Sequence, residues 1–456
     1  MKGLQVKTLS RRINAIIGIY ILLAILYALF TPKWQAPDEP AHFNYIRAIG
    51  DTGALPVLQR GDYDQDYLEK IKAAKFPAAM PIDAIRYEAY QPPLYYLAAT
   101  PVYLLARGAG LDATVLALRL FSVALGVGIL LVAYRVVREI FPDDELLALA
   151  TIGAMATVPM HLAITASISN DAAAELVLAL ILLLAIKRAK CTITNCQFTI
   201  YGGLLFGAAL LTKSTTYVPG ALLLIGAELG KVLGGKGAGE RGSKSRNTLY
   251  ALRFTLYAFA FALLIAAPML IRGALTYGIA DPLGIARHDA IVIGQPTTAE
   301  MIARYGLNHI AFDYFAVTFK SFWAQFGWMG VLVNDRIYTL LFALTGAAML
   351  GIALSAAKIL RRRELLTPAQ WASVGLLALM LGAAVAAYLL YNLKFFQLQG
   401  RYLFPALTAI ALFGVIGLRE LIAPEYRRIV FVLLYAAMLA LDLVALFFFI
   451  VPQLNS

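Results

Sequence analysis

An all-α chain that threads a membrane many times is the fold this sequence predicts, and three observations carry that reading. Residues of the AVILMFWYC set make up 61% of the 456, against roughly 45–50% in a soluble domain. Charged residues are only 14%, where a soluble domain carries ~25%, and mean hydropathy is +0.73. The apolar residues come in continuous runs rather than strict alternation, which argues for helices and against a membrane β-barrel. A globule this apolar has too little polar surface to face water, so the excess must face lipid. The net charge of +12 sits on short segments between the runs. That is the mark of cytoplasmic loops, not of a nucleic-acid-binding face. Two cysteines cannot make a disulfide framework.

A helix needs ~20 mostly apolar residues to cross a bilayer. Runs of that quality cover 13–31, 115–138, 146–165, 171–188, 253–273, 337–359, 369–391, 401–422 and 428–450. The stretch 198–231 holds two more, broken at Lys213–Ser214, so the expectation is about eleven spans. The first run follows Lys2, Lys7, Arg11 and Arg12; its length and the lack of a small-residue cleavage site make it an anchor rather than a signal peptide. Loop charge sets the orientation. The basic segments Arg135/Arg138, Lys187–Arg188–Lys190, 231–253, Arg361–Arg363 and Arg427–Arg428 fall inside with the N-terminus. The stretch 237–245 within them reads as a Gly/Ser/Lys linker. Loops 32–92, 166–170, 274–336 and 392–400 then lie outside the cytoplasm. Residues 93–107 are apolar but too short to cross, and a crossing there would flip every later basic loop. They are expected to form an interfacial or re-entrant helix. The organisation that follows is a transmembrane core over 1–273 with the long loop 32–92, an external loop over 274–336, and C-terminal membrane helices over 337–456.

The chemistry should lie at the external ends of these helices. Loop 32–92 opens with Trp34-Gln35-Ala36-Pro37-Asp38-Glu39-Pro40-Ala41-His42-Phe43. Two adjacent carboxylates between two prolines are held in a restricted conformation. Such an acid can serve as a general base, its pKa raised by partial burial; equally, Asp38 can cap a helix that starts near Pro40. Residues 62–75 read as an amphipathic surface helix. The loop closes with Glu88-Ala89-Tyr90-Gln91-Pro92-Pro93-Leu94-Tyr95-Tyr96, whose tyrosines fit an interfacial aromatic belt and whose Glu88 and Gln91 are polar at the same depth. Asn170-Asp171 opens the span 171–188, either as a helix cap or as a second acid able to share an acceptor or a divalent cation with Asp38. Lys213, and Arg401 within Gln399-Gly400-Arg401-Tyr402, are cations on the external side, against the usual charge trend. Snorkelling accounts for one reading; a phosphate partner is the sharper one, because charge at membrane depth is costly and is more often kept for function. The four histidines form no zinc pair at helical spacing.

Taken in order, these pieces resemble the GT-C superfamily of membrane glycosyltransferases, and most nearly its protein O-mannosyltransferase and aminoarabinose-transferase type. The likeness is carried by Asp38-Glu39, Gln91-Pro92-Pro93, Asn170-Asp171, Lys213 and Gln399–Tyr402, and by layout it covers about the first 230 residues. The resemblance implies a GT-C-like bundle that transfers a sugar from a polyprenyl-phosphate donor to a hydroxyl acceptor at the extracytoplasmic face, with inversion. It implies Asp38 as the base, with Glu39 its neighbour in that role. Lys213 and Arg401 would hold the lipid phosphate, and His42, Glu88, Gln91, Asn170, Asp171 and Tyr402 would complete the substrate site. The acceptor class (glycan, lipid or protein), the sugar and a divalent-cation requirement are left open by the resemblance. The single acid of Asn170-Asp171 departs from a double-acid signature, which weakens the case for a tightly held metal. A transporter or lipid flippase is the alternative. It would favour internal repeats and broken helices with polar groups at mid-membrane, and this sequence has no evident repeat.

Overall fold

The computed structural model describes residues 2–234 and 244–455. Residues 237–243 of the Gly/Ser/Lys linker, and with them the middle of the basic segment 231–253, therefore lie outside the described residues. Each apolar run is helical. In chain order the helices are α1 (Lys2–Phe30), α2 (Glu39–Thr52), α3 (Gln65–Ala73), α4 (Leu94–Ala106), α5 (Leu111–Ile140), α6 (Glu145–Ala156), α7 (Pro159–Thr165), α8 (Asp171–Ala189) and α9 (Asn195–Leu210). They continue with α10 (Tyr217–Gly234), α11 (Lys244–Tyr277), α12 (Ile285–Ile291), α13 (Thr298–Tyr305), α14 (Leu307–Trp323), α15 (Asp335–Arg361), α16 (Pro368–Asn392), α17 (Leu407–Leu421) and α18 (Arg427–Val444). A two-residue hairpin, β1 (Gln325–Phe326) against β2 (Val331–Leu332), is the sheet among the described residues.

Among the described residues, seven helices are long and apolar enough to cross a membrane, and the pair α6–α7, bent by 69°, makes an eighth. The bend falls at Pro159, which cannot continue the hydrogen-bond ladder of α6. Helices α8, α9 and α10 are 19, 16 and 18 residues long and fill the remaining runs, so the eleven expected runs map onto eleven helical units. Large apolar side chains face outward along the long helices; Leu264 and Leu340 are 72% and 71% exposed. That is the surface lipid would cover.

Helix α4 begins where Leu94 N donates to Leu211 O and ends where Arg107 pairs with Asp51 of α2. At 13 residues α4 is too short to cross a bilayer as a straight helix. Close helix packing rests on small residues. A Cβ at Gly351 of α15 would come within 1.9 Å of Gly417 O in α17, so only glycine permits that approach.

The long first loop is built, not slack. Asp64 caps α3 by accepting from Tyr67 N, and Leu68 and Ile71 turn inward, so the amphipathic helix expected over 62–75 is present. The end of α11 and the segment after it close over this loop: Leu58 N donates to Tyr277 OH at 3.0 Å, and Trp328 Nε1 donates to Trp34 O at 2.8 Å. Tyr95 and Tyr96 correct the aromatic-belt reading. Both rings are buried, Tyr95 OH bonding Ser122 and Tyr96 OH bonding His42.

One buried ion pair ties the loop to the bundle. Arg119 of α5 grips both oxygens of Glu39 at 2.8 and 2.7 Å, and also donates to Ala28 O, Thr31 O and Pro32 O at the end of α1. Glu39 further accepts from Trp34 N and Ile168 N. Neither side chain is more than 3% exposed. Removing one partner strands the other charge in a dry interior. Arg119→Met should therefore destabilise the protein by about 3–5 kcal/mol, read as a lowered thermal midpoint in detergent. Adding Glu39→Gln in that background should restore much of the loss.

Candidate active site

The end of the bundle that carries the two long loops encloses a cavity of about 410 Å³. Its floor comes from four places far apart in sequence: the turn between α1 and α2, the start of α8, the turn between α9 and α10, and the 3₁₀ turn Gly400–Ala406 that leads into α17. Burial makes each contribution expensive unless charges pair, and they do. Arg401 is 5% exposed and donates from Nη2 to Asp38 Oδ2 at 2.6 Å and from Nε to Gln399 Oε1 at 2.6 Å. Lys213 Nζ meets Asp171 Oδ1 at 2.5 Å, and the other Asp171 oxygen lies 3.7 Å from Arg401. Acids and cations thus alternate across the floor.

Asp38 occupies the N-cap position of α2 yet makes no cap hydrogen bond, and its φ is 67°. A left-handed aspartate costs on the order of 1 kcal/mol, and the turn uses that geometry to aim the carboxylate into the cavity instead of along α2. Tyr87 OH donates to its Oδ1 at 2.8 Å. Burial alone would raise the Asp38 pKa, but the Arg401 charge and its hydrogen bond outweigh it, and the net shift is downward. The expectation of a raised value is corrected here: a cation sits directly on this carboxylate. Asp171 likewise makes an ion pair rather than a cap; Asn170 holds the N-cap position, without a side-chain bond.

Glu39 is not in this cavity. Its carboxylate points to Arg119, so it holds structure and the assignment beside Asp38 fails. Asn170 also lies behind the wall: its amide makes two long contacts, to Tyr96 OH and Thr212 O, both at 3.4 Å. His42, Glu88, Gln91, Asp171, Lys213, Arg401 and Tyr402 all line the cavity. Burial pushes the His42 pKa down to about 4, so the ring is neutral near pH 7, and its Nδ1 bonds Tyr96 OH at 2.8 Å. Burial, then the charge of Asp38, pushes Glu88 up to about 7. Among the described residues no cation bonds it; the charge of Lys213 and a hydrogen bond with Gln91 draw its pKa down less than burial raises it, and its Oε2 has no hydrogen-bond partner.

Several contributors were not legible in the sequence. Tyr87 orients Asp38, but one tyrosine among 24 carries no signal. His288 and Asp289 of α12, with Lys394, form the outer wall. Asp289 pairs with Lys394, and the Tyr90 ring lies 4.5 Å from His288. This wall is assembled by pairing across the chain: Thr298 N donates to Lys394 O and Phe396 N to Pro296 O.

A second cavity, of about 700 Å³ and almost wholly apolar, lies between α14, α15 and α17. The turn Gly400–Ala406 separates the two. Arg401 and Tyr402 face the polar cavity, whereas Leu403 faces the apolar one. Thr318 Oγ1 and Tyr388 OH, 2.5 Å apart, join the two linings. The turn is wedged against α14: Gly400 N donates to Ser321 Oγ at 2.7 Å, and a Cβ there would come within 2.3 Å of Thr318 O.

The donor set does not fit a divalent cation. Asp38 and Asp171 are each engaged by a protein cation, and among the described residues no group of three or more His, Cys, Asp or Glu converges as ligands would. A paired anion and guanidinium can instead exchange partners with an incoming oxyanion.

The fold matches that of the oligosaccharyltransferase of Archaeoglobus fulgidus, solved with a tethered acceptor peptide containing the NVT sequon, at a TM-score of 0.50 and 14% identity. The match covers 97% of this chain and 54% of that one, so the chain spans about half the length of that relative. ArnT from Cupriavidus metallidurans bound to undecaprenyl phosphate aligns at a TM-score of 0.48 and 13% identity, over 96% of this chain and 73% of that one. No curated protein matches the sequence. The likeness is one of fold: this chain shares the polytopic helical architecture of that oligosaccharyltransferase. Residues 72–410 match the family described as predicted membrane protein (DUF2142), and the chain belongs to that family.

Proposed function

We propose that the protein is a membrane glycosyltransferase that takes a sugar from a polyprenyl-phosphate donor and passes it to a hydroxyl acceptor at the extracytoplasmic face. The observation that carries this reading is the pair of cavities on either side of one turn. A lipid-linked sugar is an isoprenoid chain joined to a charged phosphate joined to a polar ring. The apolar cavity suits the chain, Arg401 and Lys213 suit the phosphate, and the polar cavity suits the sugar. Nucleotide sugars are cytosolic, so an enzyme that works on the far face needs a donor that crosses the membrane by itself. The basic residues at the other end of the bundle support that orientation. So does the convergence of Asp38, Asp171, Lys213 and Arg401 on one cavity beside the long loops.

The chemistry follows from charge exchange. In the empty site Arg401 is held by Asp38. A donor phosphate entering beside it competes for the same guanidinium, whose fork suits an oxyanion. As Arg401 turns toward the phosphate, its hold on Asp38 loosens and the carboxylate becomes a stronger base. The acceptor oxygen then bonds to the anomeric carbon from the face opposite the phosphate. Its proton passes to Asp38, the carbon–phosphate oxygen bond breaks, and the electron pair leaves on the phosphate. Negative charge grows on that leaving group in the transition state, where Arg401 and Lys213 stabilise it. The configuration inverts, and no covalent enzyme intermediate is required. His42, Gln91, Asp171 and Tyr402 bound the space for the sugar and the acceptor.

Loss of a general base costs about 10²–10⁴-fold in rate. Asp38→Asn should lower transfer from a lipid-linked sugar by that order per folded molecule; because the buried Arg401 also loses its carboxylate partner, the thermal midpoint should fall as well, so activity is compared at equal folded protein. Full activity in this variant would remove Asp38 from the role. Independently, Lys213→Met should weaken binding of undecaprenyl phosphate to the purified protein by about ten- to hundredfold, on the ~1.5–3 kcal/mol of a charged hydrogen bond. Unchanged binding would take the phosphate away from this cavity.

A further inference from the structure

Four carboxylates line the polar cavity: Asp38, Glu88, Asp171 and Asp289. Three have a cation of their own, Arg401 for Asp38, Lys213 for Asp171 and Lys394 for Asp289. Glu88 has none. It stands in the 3₁₀ turn Tyr87–Tyr90, directly after the tyrosine that holds Asp38, with Oε2 buried and unbonded. The two histidines of the wall do not offset it. Burial lowers the pKa of His42 to about 4, and burial lowers that of His288 as well. Its own turn supplies Tyr87 and Tyr90, both raised by burial and by neighbouring negative charge, so both stay neutral. Tyr388, Tyr391 and Tyr402 of the opposite wall are phenols and bring no charge near pH 7. The three ion pairs cancel. The cavity is therefore neutral when Glu88 carries its proton and negative when it does not.

An anionic ligand entering such a space adds charge that no unpaired cation meets. The cheapest response is for the unpaired acid to take up a proton. We propose that Glu88 is the proton-accepting partner of the lipid phosphate: it binds a proton as the phosphate enters, and its neutral carboxyl then faces the ligand as a hydrogen-bond donor. This rests on the lipid-phosphate reading above and adds to it a group that sets the charge of the occupied site. The role is one of positioning and charge balance; Asp38 keeps the acceptor's proton.

The sign of the linkage is fixed. The occupied state holds more protons than the empty one, so binding is strongest below the empty-site pKa of about 7 and weakens as pH rises above it. A phosphomonoester would titrate in the same range and blur the effect. Farnesyl methyl phosphate avoids this, because the diester keeps one negative charge throughout. Its binding to the purified full-length protein can be followed by titration calorimetry in PIPES and in Tris, buffers that differ in ionisation enthalpy. Near pH 7.4, the wild type should take up about half a proton or more per ligand, and its affinity should fall toward tenfold per pH unit on the alkaline side. Glu88→Gln, which mimics the protonated acid, should take up none. At pH 8.5 it should bind on the order of tenfold more tightly than wild type, a gain that loss of packing would not produce. Glu88→Asp should retain the uptake. Wild-type binding without buffer dependence overturns the proposal and leaves the lipid-phosphate reading standing, as does uptake that survives Glu88→Gln. Absence of binding at every pH removes that reading, and the role of Glu88 with it.

Discussion

The contact between Arg401 and Asp38 joins residues 363 positions apart and defines the polar cavity. Its partners come from opposite ends of the chain, one after the first membrane helix and one before the penultimate long one. Everything nearby serves to bring them within 2.6 Å. Gly400 lets the arginine-bearing turn lie against α14. Gln399 occupies the Nε of Arg401, so that its Nη2 faces Asp38. Tyr87 takes the other oxygen of Asp38 and fixes its rotation. A charged pair this deep costs desolvation energy, and a left-handed aspartate adds backbone strain. Neither cost has a structural return that a pair of leucines would not match, and this is why the contact reads as machinery rather than scaffold.

The neighbouring pair makes the contrast plain. Glu39 and Arg119 are also buried and also paired, but every donor on the guanidinium and every oxygen of the carboxylate meets backbone or its partner. That cluster is closed and faces no cavity. It clamps the end of α1, the start of α2 and the turn before α8 into one unit, and so sets the direction in which Asp38 points. Adjacent residues thus divide the work: one carboxylate locks the turn and the other is displayed by it. Sequence alone offers no way to divide an Asp-Glu dipeptide, because both acids sit between the same prolines and only three dimensions show which one has an arginine behind it.

The fold was legible because lipid imposes a coarse rule. Continuous apolar length identifies spans whatever the tertiary packing, and the apolar stretch 93–107 forms a helix of only 13 residues. The charged part of the site was legible for the same reason: in a chain with so few charges, Lys213 and Arg401 on the less basic side stand out. What stayed hidden has no such contrast. Tyr95 and Tyr96 look like belt residues by composition, since a tyrosine at the interface and one inside the bundle read alike. Asp38 and Asp171 both look like helix caps until their hydroxyl and cation partners appear. The wall of His288, Asp289 and Lys394 depends on strand-like pairing between 296–298 and 394–396 that leaves no periodic trace, and the apolar cavity is a gap between helices, which no residue pattern encodes.

Pairing each cation with an acid also bears on selectivity. A bare arginine and lysine in a half-dry cavity would hold the headgroup of any anionic lipid that drifted in, and the surrounding bilayer supplies many. With Asp38 and Asp171 already in place, an anion gains only the difference between its own contacts and those it displaces. A ligand that offers just a phosphate gains little from that exchange. One that also fills the apolar cavity with its chain and the polar cavity with its ring gains on both sides of the turn, and the phosphate merely sets the register between them. On the proposed lipid-phosphate reading the ion pairs would act as a threshold: discrimination would come from how much of the two cavities a molecule occupies, and the charged floor would act only once that threshold is passed.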